Sequence, residues 1–305
     1  VMAIGCAIPS TLSGLPVLYL AAILIGTGFL AIHVSAQHAV GAMSSTDARA
    51  GNFSWLALGY SVSSFCGPVI AGFVIDHARY SIAYAVSGGF ALISLTLTIF
   101  GGMTRVKLPQ HEREPASESV MDLLRDAEMR RIYLISVLLG SAWDLFSFVM
   151  PIHGTHLGFS ASTIGLILGC FSGATFTIRL AMQWISRRYS EWQVLVTALA
   201  LATLCYALLP FMTSPFSIML VAATLGLALG SSQPNVLALL HHTSPTGRAG
   251  EAVGVRVTIS NACQVALPLA FGAAGATLGL FAVFWGMGAM IGAGVPLAWR
   301  KAFGK

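Results

Sequence analysis

The sequence predicts an all-α integral membrane protein built of two parallel helical halves, and three observations predict it. Of 305 residues, 56% are hydrophobic and only 9% are charged, against roughly a quarter charged in an ordinary soluble domain. Apolar runs of at least 20 residues recur along the whole chain. One glycine-rich stretch recurs about 200 residues after its first appearance.

The chain opens on VMAIGCAIP, an apolar piece too short to cross a bilayer and without the basic flank of a signal peptide. It reads as the tail of a span whose beginning lies upstream. Full runs follow at 16–42, 50–75, 82–102, 132–152, 162–185, 192–212, 216–240, 250–276 and 278–298. At about 1.5 Å of rise per residue each covers roughly the 30 Å hydrocarbon core. The count is nine full spans plus a partial one.

If every run crosses, alternate loops carry Arg49, then Arg105, Lys107, Arg113, Arg125, Arg130 and Arg131, then Arg187 and Arg188, then Arg248, and finally Arg300, Lys301 and Lys305. The opposite loops carry Arg79 alone. By the positive-inside rule this asymmetry puts the 103–131 segment and the C-terminus in the cytoplasm. The net charge of +5 is therefore expected to reflect topology, with no nucleic-acid partner.

Cys6, Cys66, Cys170, Cys205 and Cys263 all fall inside apolar runs without paired spacing or a nearby histidine set, so no metal site is expected. No glycine-rich phosphate loop or nucleophile elbow occurs. The reading is of a non-enzyme without cofactor, whose energy source is a gradient.

RAGNFSWLALGYSVSSFCGPVIAGFVID (49–76) resembles RAGEAVGVRVTISNACQVALPLAFGAAG (248–275). Both open on RAG and later place a glycine four residues after a proline. Pro68 with Pro268, Gly72 with Gly272, Gly26 with Gly226 and Gly88 with Gly288 keep a constant separation of 200. A parallel repeat of that length divides the chain into a partial first half (1–102), a linker (103–131) and a second half (132–305). It also implies about 70 further residues upstream with two more spans. The linker ends in SVMDLLRDAEM, which has the character of an interfacial amphipathic segment.

On these features the chain resembles the major facilitator superfamily, whose members are secondary transporters of two six-helix halves. The resemblance covers essentially the whole chain and numbers its spans three (tail only) to twelve. SSFCGPVIAG (63–72, ending at Gly72) is similar to the superfamily's fifth-helix antiporter motif: Gly67 and Pro68 match, while Ser63 and Ala71 stand where glycines are usual. The resemblance implies alternating-access transport of a small organic solute by a monomer in the lipid bilayer of a cell, as in a bacterial inner membrane. The degenerate motif leans this toward efflux by antiport. Uptake by symport, or a non-transporting sensor of the same fold, remains open.

Polar groups inside the spans mark the candidate site. Asp144, in GSAWDLFSFVMP, has no other charged side chain between Ile132 and Ile152, and an acid at that depth requires a partner or a proton. Arg179, on the next antiparallel span, is at similar depth, so the two are expected to form a charge pair, either a static clasp or a proton-coupling site. Arg179 snorkelling to the interface is the third possibility. In the superfamily the fourth, seventh and tenth helices line the central cavity. By that likeness His33 and Gln37, Asp144 with Trp143 and Phe146, and Gln233 with Asn235 are the expected solute contacts. Arg256, Ser260 and Gln264 form a stripe at four-residue spacing. Arg256 is expected at a cytoplasmic gate with Glu251 or Asp47, the stripe meeting Asn235 or the linker.

Overall fold

The structure, a computed structural model, describes residues 1–43, 49–100, 120–245 and 248–304. Eleven α-helices run in order through the described residues: α1 Met2–Thr11, α2 Leu15–Met43, α3 Arg49–His77, α4 Tyr80–Phe100, α5 Val120–Arg125, α6 Ala127–His156, α7 Ala161–Ile185, α8 Glu191–Leu208, α9 Pro215–Thr243, α10 Ala249–Leu278 and α11 Leu280–Ala302. Nine of them are long and apolar enough to cross a membrane, matching the nine runs of the sequence. An apolar chain in lipid satisfies its backbone groups within each helix, which is why every run becomes one.

Polar residues set the helix ends. Asp126 caps α6 by accepting from the backbone N–H groups of Glu128 and Met129 at 2.9 and 2.8 Å. Ser190 and Gln193 form a reciprocal capping box on α8. A single residue, Gly279 at φ 82°, separates α10 from α11, a left-handed position that a side chain would strain.

The chain divides into two compact units, Val1–Glu114 and Pro115–Lys305. The boundary falls inside the 103–131 segment. Residues 103–119 lie outside the described residues, whereas α5 and the first turn of α6 belong to the second unit, with Leu123 buried in its core.

The internal repeat is visible in three dimensions. Helix bounds recur at a separation of 200: α2 starts at 15 and α9 at 215, α4 at 80 and α11 at 280. In the first unit α1 packs on α2 and α4; in the second, α8 packs on α9 and α11. A Cβ placed on Gly88 would lie 3.2 Å from the Cβ of Cys6 and 3.8 Å from the carbonyl oxygen of Ala3. On Gly288 it would lie 3.4 Å from the Cβ of Tyr206 and 3.7 Å from the carbonyl oxygen of Thr203. All three positions of that contact are shifted by the same 200 residues.

In the second unit α7 and α9 form the most extensive helix pair. A Cβ on Gly226 would sit 2.2 Å from the Phe171 carbonyl oxygen, and one on Gly230 2.7 Å from Ile178. Two glycines four apart let the backbones touch, the device that replaces hydrophobic drive in lipid. The Thr175 hydroxyl, buried at this seam, donates to the Gly226 carbonyl at 3.1 Å. Tyr206 is fully buried between α6 and α11, and its hydroxyl donates to the Ala142 carbonyl. A Lys301–Glu128 ion pair at 2.9 Å joins the end of α11 to the start of α6.

Candidate functional site

Two polar contacts link four helices of the second unit, one between α6 and α10 and one between α7 and α9, the second beside Trp143. Asp144 on α6 accepts a hydrogen bond at 3.3 Å from the Nε2 amide of Gln264 on α10. Arg179 on α7 places its guanidinium 5.9 Å from the centre of the Trp143 ring, at the outer limit of a cation–π contact. It also donates to the Oε1 of Gln233 on α9 at 3.3 Å. Trp143 is half-buried and presents an edge-on contact to Phe171, 4.6 Å between centroids. Gln233 and Gln264 are exposed within the unit, and Asp144 and Arg179 are half-buried. These residues comprise an acid, a cation, two amides and an indole.

Four sequence expectations change here. Asp144 and Arg179 do not pair: each is held by a neutral glutamine from another helix. Phe146 is 0% exposed and packs on Phe171 at 4.8 Å, because it lies three residues after Trp143 on the face that forms the core. Asn235 is 4% exposed and turns back on its own helix, donating to the Ser231 carbonyl at 2.7 Å. It sits beside Pro234, whose ring denies the helix one backbone donor. Glu251 is taken by Arg248 at 2.8 Å rather than by Arg256. The Nε of Arg256 is buried with no hydrogen-bond partner among the described residues. Asp47 lies outside the described residues.

Gln264 is the residue the sequence reading placed elsewhere. Its spacing from Arg256 and Ser260 gave the polar face of α10 correctly, but spacing along one helix does not tell which neighbour that face meets. Tyr206 was passed over because a tyrosine in an apolar run carries no signal of its hydroxyl's partner.

In the first unit His33 and Gln37 of α2 contact each other, with 2.9 Å between the two Nε2 atoms. The Nδ1 of His33 is buried without a hydrogen-bond partner among the described residues, as is the hydroxyl of Tyr60 on α3. The ring stacks on Phe29 at 5.5 Å and tilts against Tyr60 at 4.9 Å.

The antiporter-like stretch also lies in the first unit. Gly67 and Ala71 face α4 across a void of about 80 Å³ closed by Ala83, Val86 and Phe90. Gly72 is buried, Pro68 half-buried and Ser63 exposed. A Cβ on Gly67 would meet nothing within 4 Å, so Gly67 and Ala71 line a gap between α3 and α4 in this structure.

The profile of the Major Facilitator Superfamily matches residues 1–268. The chain is 25% identical over 227 residues to the uncharacterized MFS-type transporter YfkF of Bacillus subtilis (strain 168), covering 70% of this chain and 54% of that protein. It is 23% identical over 235 residues to the multidrug resistance protein MdtG of Salmonella paratyphi B, covering 75% and 58%. The chain thus spans a little over half the length of these relatives. Among solved structures it is similar to a mutant of the peptide transporter POT, with a TM-score of 0.74 and 17% identity over 98% of this chain and 77% of that one. That likeness bears on the fold.

Proposed function

Because the chain belongs to the major facilitator superfamily and is a multi-pass membrane protein with nine membrane-length apolar helices among its described residues, we propose that it serves secondary active transport of a small organic solute. The solute site in this reading is the set around Trp143, and a proton is the coupling ion. The protein works as a monomer in a bacterial inner membrane, with the linker and the C-terminus in the cytoplasm. Export in exchange for protons is the favoured direction. It is supported by the small-residue stretch at 63–72 and by the likeness to the multidrug resistance protein MdtG.

One observation carries the coupling role. A carboxyl group inside a membrane-length helix escapes the cost of its charge by taking either a cation or a proton. Asp144 has a neutral amide beside it and no ion pair with Arg179. Proton uptake and release at Asp144, as the site is exposed first to one side and then to the other, is alternating-access coupling in its simplest form. Arg179, free of the acid, is left to hold an anionic or hydrogen-bonding group of the solute.

The test is counterflow of a labelled solute, chosen by a thermal-shift screen, into proteoliposomes holding the full-length protein. Transport predicts exchange that accelerates with an imposed pH gradient. Binding without exchange identifies a sensor and removes the proposal. Solute accumulating with inward-moving protons would reverse the direction to uptake.

A further inference from the structure

The outer face of α11 carries exposed aromatic rings at its two ends. Phe211, Phe281 and Trp285 stand together at its start, with 6.0, 6.0 and 6.5 Å between ring centroids. Trp299 packs on Phe303 at its end, at 4.6 Å. Each of the five rings is more than half exposed. Trp299 is 14 residues after Trp285, about 21 Å along the helix axis. The exposed residues between them, Ala289, Met290, Ala293 and Pro296, are all apolar. Rings at two levels with apolar surface between them are what a spanning helix presents to lipid.

The two ends differ in charge. No charged residue occurs in 209–216 or 279–285, around the first ring cluster. At the second, Arg300 directly follows Trp299. α11 and α8 run antiparallel, Gly288 against Tyr206 and Gly292 against Thr203. The same register brings Arg300 level with the first turn of α8, which the chain enters through the turn holding Arg187 and Arg188. All three arginines are exposed, and none makes an ion pair or a side-chain hydrogen bond among the described residues. Lys301 is held by Glu128 at 2.9 Å, and Glu191 stands in the first turn of α8, where the helix dipole already stabilises its charge. Three cations beside a lipid-facing ring pair are left without a counter-anion.

We propose that this end of α11 binds an anionic phospholipid. Arg300 holds the phosphate, Arg187 and Arg188 add to the attracting field, the Trp299–Phe303 pair sits at headgroup level, and the acyl chains lie along the apolar face toward Trp285. Charge selects the occupant. A zwitterionic lipid covers the apolar face equally well but leaves the arginines uncompensated, whereas anionic lipid is drawn to basic residues at the membrane surface. A free phosphate gives the rings nothing to pack on. This inference does not depend on transport or on proton coupling at Asp144.

The probe is dioleoylphosphatidylglycerol in vesicles of dioleoylphosphatidylcholine holding the full-length protein, with one lipid or the other brominated so that it quenches the tryptophans it touches. The expected result is a preference for phosphatidylglycerol of at least about fivefold, the effect of one basic residue near the surface, which rising salt weakens. Arg300→Gln should remove most of that preference, Arg300→Lys should keep it, and Arg79→Gln, on a turn of the first unit, should leave it unchanged. Trp299→Phe should remove the lipid-selective part of the quenching and Trp285→Phe should retain it. Thermal unfolding of each variant checks its fold, and salt dependence with Trp299→Phe decides the question if Arg300→Gln does not fold. Equal affinity for the two lipids, a preference that survives Arg187→Gln, Arg188→Gln and Arg300→Gln combined, or selective quenching that persists in Trp299→Phe overturns the site. Loss of the preference on adding inorganic phosphate at constant ionic strength identifies a free-anion site and equally overturns the proposal.

Discussion

Gln264 on α10 donates to Asp144 on α6 at 3.3 Å, joining two helices at the one acid of the 132–152 run. A neutral amide donor can bond either the carboxylate or the carbonyl oxygen of the protonated acid. The partner therefore fits both states of the group, as an arginine would not.

The first prediction concerns the absent ion pair. Asp144→Asn and Arg179→Gln should change thermal stability additively, within about 0.5 kcal/mol, because their partners, Gln264 and Gln233, are different. A static clasp predicts otherwise: each single change would cost roughly 3–5 kcal/mol and the double change would recover much of it. Unfolding midpoints of the four proteins in one detergent distinguish the two.

A second prediction tests the α7–α9 seam. Gly226→Ala drives a methyl into the Phe171 carbonyl, a contact of 2.2 Å with backbone that cannot rotate away. It should cost at least the roughly 1–3 kcal/mol typical of overpacking and sharply lower the yield of monodisperse protein. Gly286→Ala, whose Cβ would meet only Phe271 at 3.8 Å, should behave as wild type. Size-exclusion profiles after mild heating report both.

The repeat makes a third. Gly88→Val and Gly288→Val intrude on equivalent contacts, Cys6 and Ala3 in one unit and Tyr206 and Thr203 in the other. Both should destabilise, by amounts within about twofold of each other on the overpacking scale. Tolerance of one with collapse under the other, in the same heating assay, would argue against equivalent packing.

Much of the architecture was legible because lipid imposes simple rules. Run length gave the nine spans, and the constant separation of Gly88 from Gly288 gave the repeat that the Cys6 and Tyr206 contacts display. Site residues were legible as types rather than as pairs. Asp144 and Arg179 stood out as charges in apolar runs, but their depths matched without their side chains meeting. Periodicity placed Gln264 on a polar face, and only the packing of α10 on α6 turned that face to Asp144. Phe146 and Asn235 were misassigned because helix membership was taken for facing. About half a turn separates a side chain toward the opening from one in the core, as the exposed Gln233 and the buried Asn235, two residues on, illustrate.

The measurement that reaches the central claim most directly is solute flux through full-length Asp144→Asn in proteoliposomes, with and without a pH gradient, beside the wild type. Asparagine mimics the protonated acid and keeps an oxygen for Gln264, so the fold and solute binding should persist. The account predicts solute exchange driven by its own gradient at close to the wild-type rate, with the acceleration by a pH gradient abolished. Acceleration of wild-type size in the folded variant would contradict it and move the coupling step away from Asp144.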